Sequence, residues 1–247
     1  MGKNENQLEG RNAILEALRN GRDMEKLLVI KASAEGTIKR IIAQASKKGV
    51  VIQEVSRQKL DELSQTKNHQ GVIAIVSAHN YATVGDILEN AKSKGEPPFI
   101  VVLDGITDPH NLGAIIRSAE CAGAHGVIIP KHRSVGLNAT VGKTSAGAIE
   151  YMPVARVTNI VKTMEQLKKQ GLWFACADMK GLDYFDTDMK GAIGVVIGSE
   201  GDGVSRLVKE NCDFTVAIPM YGKIASLNAS VAAGLLLYEV VRQRKFL

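Results

Sequence analysis

Three stretches hold the residues whose types and spacing could do chemistry: LDGITDPHNLGAIIRSAE from Leu103, IGSEGDGVSRL from Ile197, and IPMYGKIASLNAS from Ile218. The first carries Asn111 and, six residues on, Arg117. A guanidinium is planar and always charged, and it offers two parallel N–H donors to a phosphate or a carboxylate. Glu200 stands between Gly198 and Gly201, in a glycine setting after a buried strand. Ser226 and Asn228 add neutral polar groups at the expected start of the last helix. Each has a plain structural alternative. Asn111 and Ser226 are good helix caps, Arg117 could be a solvated helix arginine, and Glu200 a solvated loop carboxylate. His110 is a lone loop histidine, for which no role is assigned.

Other site chemistries lack their residues. A dinucleotide fingerprint needs G-x-G-x-x-G soon after the first strand of its domain, and Gly198, Gly201 and Gly203 have the wrong spacing and place. Neither a P-loop lysine motif nor HExxH is present. Cys121, Cys176 and Cys212 are three, without metal-ligand spacing, and read as reduced, buried small hydrophobes.

The elements that must position these residues follow from periodicity. In residues 1–76, GRNAILEALRNG and GTIKRIIAQASKKG carry apolar residues at helical spacing. KLLVIK, VVIQEV and GVIAIV read as strands, with a helix around Lys59–Leu63. Residues 77–96 are polar and are followed by Pro97-Pro98, which makes them the best candidate linker. From residue 97 the pattern restarts with FIVVLDG, a continuous apolar run of the buried parallel kind. A helix over 111–123, GVIIP, a helix near 157–170, LWFACA, AIGVVIG, FTVAIP and a final helix follow. The alternation predicts an α/β fold with a mostly parallel sheet. All three polar stretches follow a strand and lead towards a helix, so one sheet edge could gather them into one pocket.

Apolar residues make up 45% of the 247, enough for a substantial core, and no run approaches a membrane span. The polar beginning, MGKNENQLEGRN, has no apolar leader, which predicts a cytoplasmic protein. Residues 1–76 hold 13 Lys and Arg against 9 Asp and Glu, whereas residues 77–247 hold 18 against 17. The positive excess therefore lies on the first third, where an anionic partner such as nucleic acid would be gripped. Aromatics are only 4%, too few for base stacking to dominate.

With these residues in view, the three stretches resemble the signature motifs of the SpoU/TrmH family of RNA ribose 2′-O-methyltransferases, within the SPOUT superfamily. Asn111–Arg117 (NLGAIIR) resembles the first motif, Gly198–Gly201 (GSEG) the second and Ser226–Ser230 (SLNAS) the third. The likeness covers roughly residues 99–244. Ala229 departs from it where a valine is expected. Residues 1–76, with GRNAILEAL and Asn68-His-Gln-Gly71, are similar to the RNA-binding domain of the bacterial branch that methylates a guanosine in large-subunit (23S) ribosomal RNA. That domain is like small ribosomal proteins of the α/β/α type.

The resemblance implies a C-terminal knotted methyltransferase domain, a deep trefoil over residues 97–247, which binds the cofactor and dimerises. It implies S-adenosylmethionine as cofactor, with no metal. Arg117, Asn111, Glu200, Ser226 and Asn228 would be the catalytic set, and Gly198, Ile218, Met220 and Leu227 would hold the cofactor largely through backbone groups. The expected partners are ribosomal RNA and a second copy of the chain, the latter meeting Leu235, Leu236, Leu237 and Val240 of the last helix. Two alternatives stand beside this reading: a transfer-RNA methyltransferase of the same superfamily, and a non-catalytic RNA-binding assembly factor.

Overall fold

A computed structural model describes residues 6–30 and 36–246. Residues 1–5, on which the leader-free reading partly rests, Lys31 at the end of KLLVIK, and Leu247 lie outside them. The chain forms two compact units, one reaching Asn80 and taking in residues 136–139, the other holding 81–135 and 140 onwards.

The amino-terminal unit runs β1 (Gln7–Glu9), α1 (Arg11–Arg19), β2 (Met24–Ile30), α2 (Gly36–Lys47), β3 (Val51–Val55), α3 (Arg57–Leu63) and β4 (Val72–Val76). The helical periodicity is realised: Ile14, Leu15 and Leu18 of α1 and Ile38, Ile41 and Ala45 of α2 are buried against Leu27, Val29, Val72 and Ala74 of the sheet. Strand order is β1-β4-β2-β3, with β2 and β3 parallel and β4 antiparallel to both its neighbours. β1 is an addition to the expected elements. Three residues carry too little pattern to read, and its partner β4 lies over sixty residues away.

The expected linker needs correction. Residues 77–96 contain α4 (Val84–Ser93), opened by a capping box in which Thr83 and Asp86 satisfy each other's backbone N–H groups. Ile87 and Ala91 of α4 are fully buried, Ile87 in the core of the second unit. Val84 and Leu88 pack half-buried against the same core, so one apolar face docks an otherwise polar helix.

The second unit continues with β5 (Phe99–Asp104), α5 (Pro109–Cys121), β6 (Gly126–Pro130), α6 (Ala139–Thr144), β7 (Val154–Val157), α7 (Ile160–Lys168), β8 (Trp173–Asp183), β9 (Ile193–Gly198), α8 (Arg206–Glu210), β10 (Phe214–Ala217) and α9 (Ala229–Phe246). Its sheet is ordered β10-β8-β9-β5-β6-β7 and every pairing is parallel. The helix expected near 157–170 is shorter, because β7 occupies Val154–Val157 and Asn159 caps α7 by accepting from the Lys162 N–H at 3.0 Å. From β5 the chain moves outward through β6 and β7, then returns to place β9 on the other side of β5. The strand order therefore reverses between β5 and β9, and the crevice at their carboxyl ends is where such sheets bind ligands.

The last helix packs on α5 and is fixed by a buried polar network. The Gln243 Nε2 donates to Thr187 O at 2.9 Å and to Glu239 Oε1 at 2.7 Å, while its Oε1 accepts from the Met189 N–H at 2.7 Å. Arg242 closes on Glu239 through two bonds of 2.7 and 2.8 Å. Two sequence expectations are corrected here. Leu236, Leu237 and Val240 are fully buried core residues rather than a dimer surface; of the four named, only Leu235 is exposed, at 40%. The exposed apolar face of α9 is Val231, Leu235 and Tyr238, at 50, 40 and 52%. Among the cysteines, Cys176 is buried and Cys212 half-buried, but Cys121, at the end of α5, is exposed.

Candidate active site

α5 begins with Asp108, whose carboxylate accepts from the His110 N–H at 3.0 Å, and with Pro109 in the first turn, where its missing N–H costs nothing. Asp108, not Asn111, therefore caps this helix. Asn111 sits inside the first turn with its side chain buried, free for other partners.

Glu200 reaches the same place from the β9 loop. Gly198, at the end of β9, allows this: a Cβ there would fall 2.0 Å from the Gly203 carbonyl carbon. The loop can thus fold back, with Ser199 and Gly203 bonded to each other through their backbones. The structure gives Gly198 this packing role and leaves it outside the residues lining the neighbouring cavity.

The third arm is Asn228, just ahead of α9. Its Oδ1 accepts from the Ser230 N–H at 2.9 Å and from Ser230 Oγ at 2.6 Å, the arrangement of a helix cap. Its Nδ2 donates to Asn111 Oδ1 at 2.9 Å and, in a short contact, to Glu200 Oε1. Asn111 Nδ2 donates to the same Glu200 Oε1 at 2.9 Å, and the Ala229 N–H reaches it at 3.4 Å. Asn111, Glu200 and Asn228, 117 residues apart at the extremes, form one closed polar triangle over the β5/β9 crevice. The carboxylate also lies at the start of α9, next to its first backbone N–H. All the donors converge on Oε1; among the described residues, Oε2 has no hydrogen bond and is left as an acceptor.

Beside the triangle lies a cavity of about 120 Å³, lined by Ile218, Met220, Ser226 and Leu227 of the third stretch, by Val216 and Ala232, and by Ala177, Asp178 and Met179 of β8. Ile218, Met220 and Leu227 are brought together here. Ser226 is placed on this wall, exposed and ahead of α9, and it is neither part of the triangle nor the start of the helix. The β8 contribution went unread, because LWFACA shows the apolar strand but not where it stops pairing. Two larger concavities, of about 500 and 640 Å³, involve none of the three polar stretches, so size does not locate the site.

Arg117 stands apart. Six residues along α5 is about 9 Å of rise and about 120° of rotation away from Asn111. Its side chain is exposed and has no hydrogen bond or ion pair among the described residues. Its neighbour Ser118 has its Oγ 4.0 Å from where a Cβ on Gly234 of α9 would sit, so the two helices pack at this level. No group of three or more His, Cys, Asp or Glu among the described residues is arranged to hold a metal ion.

A parallel sheet with an amide–carboxylate triangle at its β5/β9 switch point and a cavity beside it at the carboxyl ends of β8 and β10 has the form of an α/β ligand-binding site. Family comparison makes that class specific. Residues 98–238 match the SpoU rRNA Methylase family, and residues 7–82 match the domain described as RNA 2′-O ribose methyltransferase substrate binding. The chain belongs to the SpoU rRNA methylase family.

YacO of Bacillus subtilis, named to the TrmH family of tRNA/rRNA methyltransferases, is 49% identical over 95% of this chain and 94% of its own. A Staphylococcus haemolyticus protein named to the same family is 45% identical over 95 and 94%. Among solved structures, the SpoU methyltransferase AviRb of Streptomyces viridochromogenes, in complex with the cofactor AdoMet, is similar with a TM-score of 0.62. It is 27% identical and covers 96% of this chain and 90% of its own. The TrmH/SpoU tRNA modifying enzyme of A. aeolicus is 28% identical with a TM-score of 0.56, but covers only 61% of this chain and 77% of its own.

Proposed function

We propose that this protein transfers a methyl group from S-adenosylmethionine to the ribose 2′-oxygen of a guanosine in 23S ribosomal RNA. The observation that carries the reading is the Asn111–Glu200–Asn228 triangle beside the Ile218–Met220–Leu227 cavity. The cavity fits such a cofactor in kind: its walls are mostly apolar, backbone groups are at hand, and no basic side chain among the described residues lines it to repel a sulfonium. At about 120 Å³ it is smaller than the ~300–1,000 Å³ of a whole-ligand site. The exposed loop over residues 221–228 therefore has to rearrange around the full molecule. By likeness to the family, this loop and the last helix belong to a trefoil knot.

The cofactor would supply an activated methyl group; the chain's own residues must orient the sugar and handle charge. Glu200 Oε2 is positioned to accept the 2′-hydroxyl proton's hydrogen bond, while Oε1 stays locked to both amides. Arg117 would hold the adjacent phosphate and stabilise the developing alkoxide, a role a permanently protonated group fills more easily than that of base.

Because Arg117 is exposed and turned about 120° around α5 from its own triangle, and α9 leaves Val231, Leu235 and Tyr238 exposed, we place it in a homodimer, serving the crevice of the second copy. Support for ribosomal RNA comes from the amino-terminal unit, which matches a substrate-binding domain and carries the positive excess. The likeness to AviRb spans nearly the whole chain, whereas that to the transfer-RNA enzyme spans 61%. The intact triangle speaks against a non-catalytic assembly factor.

The test is methyl incorporation into purified ribosomal RNA and transfer RNA, followed by mapping of ribose methylation with and without the protein. A new 2′-O-methylguanosine in 23S RNA is expected. Methylation confined to transfer RNA would favour the alternative, and none in either would refute the reading.

A further inference from the structure

Among the described residues, Asp178 alone of those lining the cavity is ionisable, and the strand that bears it is deformed at that point. β8 pairs with β10 up to Cys176↔Thr215, and the next pair is Leu182↔Val216, so residues 177–181 bulge out of the ladder. Gly181 permits the bulge, because a Cβ there would lie 2.5 Å from the Thr215 backbone. Bulges of this kind re-aim side chains next to functional sites.

The carboxylate is held from behind. Lys209 Nζ of α8 donates to Oδ2 at 2.6 Å, and the Lys180 N–H donates to Oδ1 at 2.9 Å. The Lys209 hydrogen bond keeps the Asp178 carboxyl below the usual range despite its burial, so it is ionised at neutral pH. A carboxylate has about four acceptor sites, and two remain towards the cavity.

Resting on the cofactor reading above, we propose that Asp178 recognises the ribose diol of the cofactor's adenosine moiety. Lys209 cancels most of the charge but none of the remaining lone pairs. The pair therefore suits neutral hydroxyl donors better than the ammonium of the methionine tail, which would also meet the lysine. A paired hydroxyl acceptor of this type is what nucleotide-binding α/β sheets use for ribose. The sequence shows only a polar residue after an apolar run.

Calorimetric binding of S-adenosylmethionine, 5′-methylthioadenosine (diol kept, amino-acid tail absent) and 2′,3′-dideoxy-5′-methylthioadenosine to the full chain tests this without any turnover. Asp178→Ala should weaken the first two by the same factor, about 10–100-fold, and leave the already weak dideoxy compound unchanged. Asp178→Asn, which keeps one acceptor, should lie between. Loss confined to S-adenosylmethionine would assign Asp178 to the tail and overturn the proposal. So would an equal loss for the dideoxy compound, or no loss at all. Failure of the wild-type chain to bind any of the three would instead refute the cofactor reading, and this inference with it.

Discussion

The two oxygens of Glu200 have different neighbours, and that difference separates structure from chemistry at the residue scale. Oε1 ties together Asn111, Asn228 and the first turn of α9, while Oε2 has no hydrogen bond among the described residues. Glu200→Gln keeps one carbonyl oxygen for the amides but puts an NH₂ where an acceptor is needed. It should preserve the fold and cofactor affinity and lower single-turnover methylation by about 100-fold or more. Unchanged turnover would exclude Glu200 from proton handling. Arg117→Ala should behave differently from an exposed helix arginine, whose loss shifts stability by under ~0.5 kcal/mol. Turnover should fall roughly 100–1,000-fold at saturating cofactor, with melting temperature unchanged. Arg117→Lys should recover little, because an ammonium lacks the planar fork. Wild-type rates in the alanine variant would refute the assignment.

Among the elements, β1 matters out of proportion to its three residues, because it carries Glu9. That carboxylate accepts from Gln7 Nε2 at 2.8 Å, Ser64 Oγ at 2.7 Å, the Gln65 N–H at 2.5 Å and both donors of Thr66. Burial alone would raise its pKa; the bonds from Thr66, Gln65, Ser64 and Gln7 outweigh that and hold it at about 2, against an ordinary 4.5. The loop so anchored displays Lys67, Asn68 and Gln70, with Lys67 and Gln70 at positive φ, 58° and 51°. This fixed, polar, exposed loop lies within the residues that match the substrate-binding domain. A depressed carboxyl pKa stabilises the fold above the unfolded value and stops doing so as pH falls through the folded one. The amino-terminal unit should therefore lose stability between pH 4.5 and about 2. In Glu9→Gln that dependence should flatten, and the unit should be weaker at neutral pH. Hydrogen exchange in β1 and β4 measured against pH checks this; an unaltered acid limb would count against Glu9 as the anchor.

For the whole molecule, the separation of Arg117 from the triangle makes an experiment available that no single variant offers. Arg117→Ala and Asn228→Ala proteins should each be inactive. If Arg117 serves a partner's crevice, mixing them produces heterodimers with one complete site of two. Random pairing should then restore roughly a quarter of wild-type activity, since about half the dimers are mixed. No restoration after verified subunit exchange would return Arg117 to its own chain. Charged substitution at Leu235, on the exposed face of α9, should yield monomers by light scattering without loss of fold. The positive excess of residues 1–76 makes a further expectation: RNA affinity should fall steeply with salt, as phosphate contacts require, whereas cofactor affinity should not.

What the sequence by itself determined is what local pattern can encode. The apolar faces of α1 and α2, the continuous runs of β5 and β9, and the polar stretches after β5, β9 and β10 were all legible, because side-chain period and turn chemistry act within a few residues. So were Asn111, Glu200 and Asn228 as residues worth weighing. Tertiary structure decided everything that depends on a distant partner. β1 exists only against β4, and α4 is a helix docked by Ile87 rather than a linker. Leu236, Leu237 and Val240 of α9 are core while Leu235 is surface, since a nearly all-round apolar helix does not announce which side its neighbours will cover. Asp178 reaches the cavity only because β8 breaks register against β10, and the triangle closes only because parallel strands bring loops 117 residues apart to one sheet edge. These outcomes rest on contacts whose free energy appears once the chain has folded, so no window of sequence contains them.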